Sequence, residues 1–340
     1  MKQRILFIIN PISGTKNKKA ILGTIADHLD DERFEYETAM TEYAGHAEEL
    51  AKAAVTKGID IVAAVGGDGT VNEVARAVVH SNTALAIIPC GSGNGLARHL
   101  QIPMNAAKAI EVINRNHVAD LDYGKINEHP FFCTCGMGFD AFISLKFAQS
   151  KKRGFMTYID NTLREGVKYK SETYTITTEE GTFEENAFLI ACANASQYGN
   201  NAYIAPKASM EDGLMDIIIM KPFSTIEAPQ IIMQLFNKTL PSNNHVEVMQ
   251  ARKLHISRPN EGAIHCDGDP MMMGKELDIE LFQKSFKAVV NLQTEEGSIL
   301  PNPIPFFSQM TLDLFKVMNT HLNHMNSHLA QMKNKMKPKP

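Results

Sequence analysis

The stretch Ile59–Arg98, IDIVAAVGGDGTVNEVARAVVHSNTALAIIPCGSGNGLAR, decides how this chain folds. Two apolar runs, Ile59–Val65 and Thr83–Pro89, each lead into a glycine-rich turn and then into a helical pattern. A continuous apolar run is the signature of a strand buried on both faces, and strands alternating with helices make a parallel sheet with right-handed crossovers. The same grammar extends backwards. Arg4–Asn10 and Phe34–Thr41 read as strands, and Lys18–Leu29 and His46–Lys57 as helices, the second stopped by Gly58. Thr70 followed by Glu73 reads as a capping box at the start of a helix over Thr70–Val79, and a further helix begins at Gly95.

From about Val118 the pattern changes. Phe131–Cys135, Tyr174–Thr178, Ala187–Ala193, Met215–Met220, Val246–Ile256, Ala263–Cys266 and Glu276–Phe282 read as strands, with helices only near Phe139–Gly166 and Thr225–Lys238. Strands that follow one another without crossover helices predict an antiparallel sandwich or a curled sheet. The expected fold is therefore an N-terminal α/β domain with a parallel sheet (residues 1–123), a β-rich antiparallel domain (124–299), and a linker with a helical tail (300–340), the boundary falling near Asp120–Asn127. After LPNPIP (Leu300–Pro305), the residues Phe315, Met318, Leu322, Met325, Leu329, Met332 and Met336 form a heptad seam. That seam suits a helix docked on its own domain and equally a homodimer. His321, His324 and His328 flank it, as solvated side chains or, with no carboxylate at ligand spacing beside them, as a weaker metal-binding alternative, and the basic end KNKMKPKP suits an anionic membrane surface.

Composition narrows the function. The chain has 340 residues, 44% hydrophobic and 21% charged, with 34 Lys plus Arg against 38 Asp plus Glu, a net charge of −4. A nucleic-acid binder carries a basic excess, so that role is disfavoured. No apolar run approaches the roughly 18 residues of a membrane-spanning helix, and MKQRILFIINPISG lacks a cleavage site, so a cytoplasmic protein is expected. The cysteines Cys90, Cys133, Cys135, Cys192 and Cys266 read as reduced core residues; Cys133-x-Cys135 has no second pair with which to hold zinc.

The chemistry lies in the turns. In GGDGT (Gly66–Thr70), glycines permit close backbone approach, and a strand-to-helix turn aims N–H groups and a helix N-terminus at phosphate oxygens. Asp68 would repel phosphate unless it acts through a metal ion or on an incoming hydroxyl. GSGNGLAR (Gly91–Arg98) offers a second cradle with Ser92, Asn94 and Arg98, and NPISGTK (Asn10–Lys16) a third loop with Asn10, Ser13 and Lys16. Two such turns in one sheet face each other across a crevice when they flank a topological switch point. No Walker A spacing is present, and the G-x-G-x-x-A match at Gly136–Ala141 falls in the strand-rich part, out of context for a dinucleotide fold.

Taken together, NPISG (10–14), GGDGTVNEV (66–74), IPCGSGNGLAR (88–98), GMGFDA (136–141), KKRG (151–154), PKASMEDGLMD (206–216) and DGDP (267–270) resemble the diacylglycerol kinase catalytic-domain family, which includes bacterial lipid kinases and sphingosine kinases. The resemblance implies an ATP- and Mg²⁺-dependent lipid kinase with its site between the two domains and a lipid substrate met at a membrane surface. It implies ATP contacts from Asn10, Thr41, Gly66, Gly67, Asp68, Gly69, Thr70, Val71, Asn72 and Ser92. It implies a lipid head-group contact at Asp140 and a structural magnesium site at Ser209, Asp212 and Leu214. The general base would be Asp269, where bacterial members usually have glutamate; its reach is about 1.5 Å shorter, one C–C bond, which keeps Asp68 as a rival. Gly-Ser-Gly-Asn-Gly at 91–95 is closer to the sphingosine-kinase pattern than the usual bacterial loop, so a sphingoid base stands beside diacylglycerol as acceptor. Lys151, Lys152 and Arg153 suit either phosphate pairing or a solvated face. GGDGT is shared with NAD kinases, so NAD phosphorylation is one alternative, and a non-catalytic nucleotide or lipid sensor is another.

Overall fold

The computed structural model describes residues 2–14, 18–149, 169–224 and 226–292. Lys16, the Lys151–Arg153 run, the Leu300–Pro305 linker, the Phe315–Met336 seam with its docking and homodimer readings, the three flanking histidines and the basic end lie outside the described residues.

The first half alternates as expected: β1 (Gln3–Ile9), α1 (Lys18–His28), β2 (Phe34–Met40), α2 (His46–Thr56), β3 (Ile61–Gly66), α3 (Asp68–Val78), β4 (Ala84–Pro89), α4 (Gly95–His99) and α5 (Ala106–Arg115). The strands pair in parallel in the order β2-β1-β3-β4. Every residue of β3 and β4 is buried, which suits a sequence of Ile, Val, Ala and Leu up to the closing Gly66 and Pro89. The α5 helix, absent from the sequence expectation, is capped by Asn105, whose side chain accepts from Lys108 N at 3.2 Å.

The second half is strand-rich: β5 (Val118–Ile126), β6 (His129–Phe131), β7 (Thr134–Gly138), α6 (Phe139–Gln149), β8 (Glu172–Thr178), β9 (Gly181–Ala187), β10 (Leu189–Ala193), β11 (Met215–Met220), α7 (Ala228–Phe236), β12 (Val246–Ala251), β13 (Lys253–Ser257), β14 (Gly262–Cys266), β15 (Asp269–Met273) and β16 (Glu276–Val289). The strands β12-β11-β10-β7-β14-β15 form an antiparallel sheet. It packs on β5, β8, β13 and β16 through a core of Tyr174, Ile176, Ile190, Ile217, Ile256, Ile264 and Ile279. The chain is thus an α/β domain with a mostly parallel sheet followed by an antiparallel β sandwich.

Several local readings change, among them the expected strand Phe131–Cys135, which is broken between β6 and β7. The run expected as one strand over Val246–Ile256 is two, β12 and β13, in different sheets. The segment Asp120–Asn127, expected at the boundary, is mostly the strand β5, paired along β16. And β16 runs seven residues beyond the expected end, so that Lys287 and Ala288 pair in parallel with Ala84 and Leu85 of β4. One sheet therefore passes from the first domain into the second.

Candidate active site

Parallel strand order reverses between β1 and β3, and the carboxyl ends of the strands around such a switch point form a crevice. Asn10 leaves β1 there. Its N–H donates to Val65 O at 3.0 Å and its Nδ2 to Thr70 Oγ1 at 3.0 Å, tying the first loop to the GGDGT turn. Thr41 follows β2 next to it, with its N–H on Ile9 O. Gly14 has φ +63° and lies against the Cys90 carbonyl, where no side chain fits.

The two glycine turns touch backbone to backbone. A Cβ on Gly91 would stand 2.6 Å from Gly67 Cα, and Cys90 N donates to Gly66 O at 2.7 Å. Asp68 is the bolt between them: its Oδ2 accepts from Asn94 N at 2.8 Å and its Oδ1 from Gly95 N at 2.7 Å. It therefore caps α4 from outside, a carboxylate on a positive helix end. Gly69 and Ser92 stay exposed at the tips of the two turns, whereas the Val71 side chain is buried in the core and leaves only backbone for a ligand. A pocket of about 210 Å³ opens beside the second turn, lined by Pro89, Cys90, Gly91, Asn94, Arg98 and Met104.

The expected capping box is not formed. α3 starts at Asp68 after Gly67, so Thr70 sits inside the first turn with its hydroxyl taken by Asn10. Glu73 instead reaches the neighbouring helix, accepting from Gly45 N at 2.8 Å and Ala47 N at 3.0 Å at the start of α2.

The opposite wall is the turn Asp267-Gly268-Asp269 between β14 and β15. Asp267, at φ +50°, accepts from Phe132, Cys133 and Thr134 N–H at 2.8, 2.7 and 3.0 Å, and from Asn72 Nδ2 at 2.5 Å. Asn72 thus joins α3 to the second domain. Burial pushes the Asp267 carboxyl up to about 6, against the pull of those backbone donors. Asp269 is exposed on the cleft, yet desolvation by the surrounding protein still holds it above the ordinary carboxylate range; Arg76 opposes the rise, and Asp68 and Glu73 add to it. The two rival carboxylates, Asp68 and Asp269, therefore feel one another across a single cleft. Asn72 Oδ1 and Arg76 Nε, one helical turn apart, are buried without hydrogen-bond partners among the described residues.

Behind the turn, Asp140 is buried. Its Oδ1 accepts from Ala141 N at 2.7 Å, and its Oδ2 meets Tyr198 OH and His265 Nε2, each at 3.1 Å. The loop after β10 wraps the second glycine turn: Asn200 N donates to Gly93 O at 3.1 Å, and Arg98 Nη1 to Asn201 Oδ1 at 3.3 Å. Nearby, His99 Nδ1 accepts from Ser196 N at 3.1 Å, and burial holds this imidazole down to about 4.

Ser209, Asp212 and Leu214 lie on the loop before β11. Asp212 Oδ1 accepts from Leu214 N at 3.0 Å, and Asp122 binds the loop by accepting from Gly213 N at 2.8 Å while its other oxygen takes Lys284 N at 2.7 Å. Burial raises the Asp122 and Asp216 carboxyls, and the Asp212 charge adds to the rise in both. A divalent ion with a preference for oxygen ligands relieves such repulsion, so the donor chemistry suits magnesium, although among the described residues no group of three acidic, His or Cys side chains is arranged to ligate one.

The cleft brings together Asn10, Thr41, Gly66, Gly67, Asp68, Gly69, Thr70, Asn72, Ser92 and Asp269. It keeps Ser209, Asp212 and Leu214 on a separate loop tied to β5 and β16. Sequence reading missed Asp267, His265 and Asp122. Asp267 opens the DGDP motif, and that motif was the signal for it.

A pair of fused phosphate-type cradles on an α/β sheet, closed by a β sandwich, defines a two-domain phosphotransferase architecture. Comparison with known proteins agrees. Residues 4–126 match the diacylglycerol kinase catalytic domain, and residues 133–277 the YegS C-terminal NAD kinase beta sandwich-like domain. The chain belongs to the diacylglycerol kinase and lipid kinase family. It is 30% identical over 280 residues to a Streptococcus pneumoniae protein named "Putative lipid kinase", covering 78% of this chain and 91% of that one. It is 24% identical over 272 residues to the diacylglycerol kinase of Bacillus subtilis strain 168, covering 78% and 90%. It shares the fold of a diacylglycerol kinase from Bacillus anthracis Sterne, with a TM-score of 0.67 at 23% identity over 85% of this chain and 97% of that one. No described helix is long and apolar enough to cross a membrane.

Proposed function

We propose that this protein is an ATP- and Mg²⁺-dependent lipid kinase that transfers the γ-phosphoryl group to a lipid hydroxyl, with diacylglycerol or a sphingoid base as acceptor. The observation that carries the reading is the contact of the Gly66–Gly69 and Gly91–Gly95 turns, bolted by Asp68, opposite Asp269 in one cleft. Backbone N–H groups of those turns, with Asn10, Thr41, Thr70 and Ser92 around them, hold the triphosphate. Phosphoryl transfer is accelerated mainly by positioning and by neutralising charge, which such a cradle supplies. Magnesium would be held by the Asp212 carboxylate with the Ser209 and Leu214 carbonyls, where it would brace the loop before β11 and relieve the repulsion among its carboxylates.

Asp269 takes the base role. It is exposed where a hydroxyl can arrive, and a carboxyl held above its ordinary range is a better proton acceptor. Asp68, with both oxygens committed to Asn94 and Gly95, shapes the cradle. The protein works in the cytoplasm against a membrane surface.

The test is ³²P transfer from labelled ATP to lipids in a whole extract, with NAD as a separate acceptor. Lipid labelling in wild type, lost in Asp269→Asn while ATP still binds, supports the reading. Labelling of NAD in the absence of lipid, or nucleotide binding with no labelled lipid, overturns it.

A further inference from the structure

His265 is 1% exposed and stands two residues before Asp267 in the sequence HCDGD. Its Nε2 is 3.1 Å from Asp140 Oδ2, and its Nδ1 lies 3.4 Å from the Gly268 N–H. A carboxylate only accepts and a backbone N–H only donates, so the two contacts together require a proton on Nε2 and a bare Nδ1. The space for the pair is cleared by a strand residue: a Cβ on Gly136 would stand 2.7 Å from His265 Nε2 and would overlap Asp140 Oδ2.

The pair also leads somewhere. Tyr198 OH shares Asp140 Oδ2, and the backbone of Tyr198 and Gly199 packs on the second glycine turn, with a Cβ on Gly95 falling 3.3 Å from Tyr198 O and one on Gly199 falling 3.0 Å from the Gly93 carbonyl carbon. One continuous set of contacts therefore runs from the nucleotide-side turn through Tyr198, Asp140 and His265 to Gly268, the residue that joins Asp267 to Asp269.

We infer that His265 is a positioning residue: its Nδ1 holds the Gly268 N–H, and its Nε2–H anchors on Asp140, so that the turn presents Asp269 to the acceptor hydroxyl. Asp140 then serves the acceptor side through His265, not with an open carboxylate. The inference rests on the lipid-kinase reading for the role of Asp269, but the hydrogen-bond geometry stands by itself.

Two measurements on the full chain decide it. The first is the imidazole ¹⁵N–¹H spectrum near neutral pH, with H265F to assign the signals. A neutral ring protonated at Nε2 is expected; a proton on Nδ1 overturns the inference. The second compares two amides. H265N keeps an acceptor near the Nδ1 position, whereas H265Q reaches toward Asp140 and leaves Gly268 without one. H265Q should lose at least about tenfold in kcat for lipid phosphorylation, as misplacement of a reacting group does, with KM for ATP unchanged, and H265N should recover most of that loss. Equal losses in the two variants, or losses that track Tm alone, mean a purely structural histidine and overturn it. If the wild type labels no lipid, the lipid-kinase reading fails, and the imidazole spectrum still decides whether His265 holds the turn.

Discussion

Replacing Asp68 by asparagine separates a cradle-shaping residue from a free base. The carboxylate accepts two backbone N–H groups, at 2.8 Å from Asn94 and 2.7 Å from Gly95. Asparagine has one acceptor oxygen, so one bond survives without its charge and the other N–H faces an NH₂ group. A hydrogen bond to a charged group contributes about 1.5–3 kcal/mol, and a buried N–H left unpaired costs about 1–3 kcal/mol. With Asp68 partly exposed, the lower half of that combined range applies, about 3 kcal/mol. For a chain of this size, unfolding with about 0.7 kcal/mol/K of entropy, that lowers Tm by about 4 °C. The second turn then loses its fixed position against Gly67, and ATP affinity should drop at least about tenfold, the loss of one well-placed charge-assisted contact. Thermal unfolding and calorimetric titration with ATP read the two effects. Should D68N keep wild-type Tm and ATP affinity and lose only kcat, Asp68 is a catalytic base and the bolt argument is refuted.

Three other outcomes follow from the same geometry. G91A places a methyl 2.6 Å from Gly67 Cα and should cost about 1–3 kcal/mol while abolishing nucleotide binding; a variant that still binds ATP normally would mean the turns need not touch. E73Q removes the charge that caps α2 at Gly45 and Ala47 and should cost about 1–2 kcal/mol in urea unfolding, with no cost expected if Glu73 were only a surface charge. His99, held down to about 4 in the folded protein, takes its proton first in the unfolded chain. Its contribution is intact above pH 6.5 and is lost as pH falls to about 4, by about 3 kcal/mol relative to H99Q; parallel stability curves for the two proteins over that range would contradict this.

The sequence made the cradle legible because its cause is local. Unbroken apolar runs followed at once by glycines can hardly be anything but buried strands ending in tight turns, and β3 and β4 fall within two residues of their expected bounds. What was not legible depends on distant partners. Asp267 matters because the chain folds Phe132–Thr134 onto it across more than a hundred residues. Glu73 looked like a cap for its own helix because spacing alone cannot tell that Gly67 starts that helix and that α2 lies within reach. The run Val246–Ile256 has strand character throughout, and only tertiary pairing sends β12 to one sheet and β13 to the other.

The last described strand has an implication for how the protein is made. Because β16 supplies the neighbour of β4, the parallel sheet cannot be finished until residues 276–289 have left the ribosome, by which time nearly three hundred residues have been synthesised. Until then the nascent first half exposes the raw border of β4, a template for mispairing with other chains. Shortened forms that stop before Glu276 should therefore precipitate during expression, where the intact polypeptide stays dispersed.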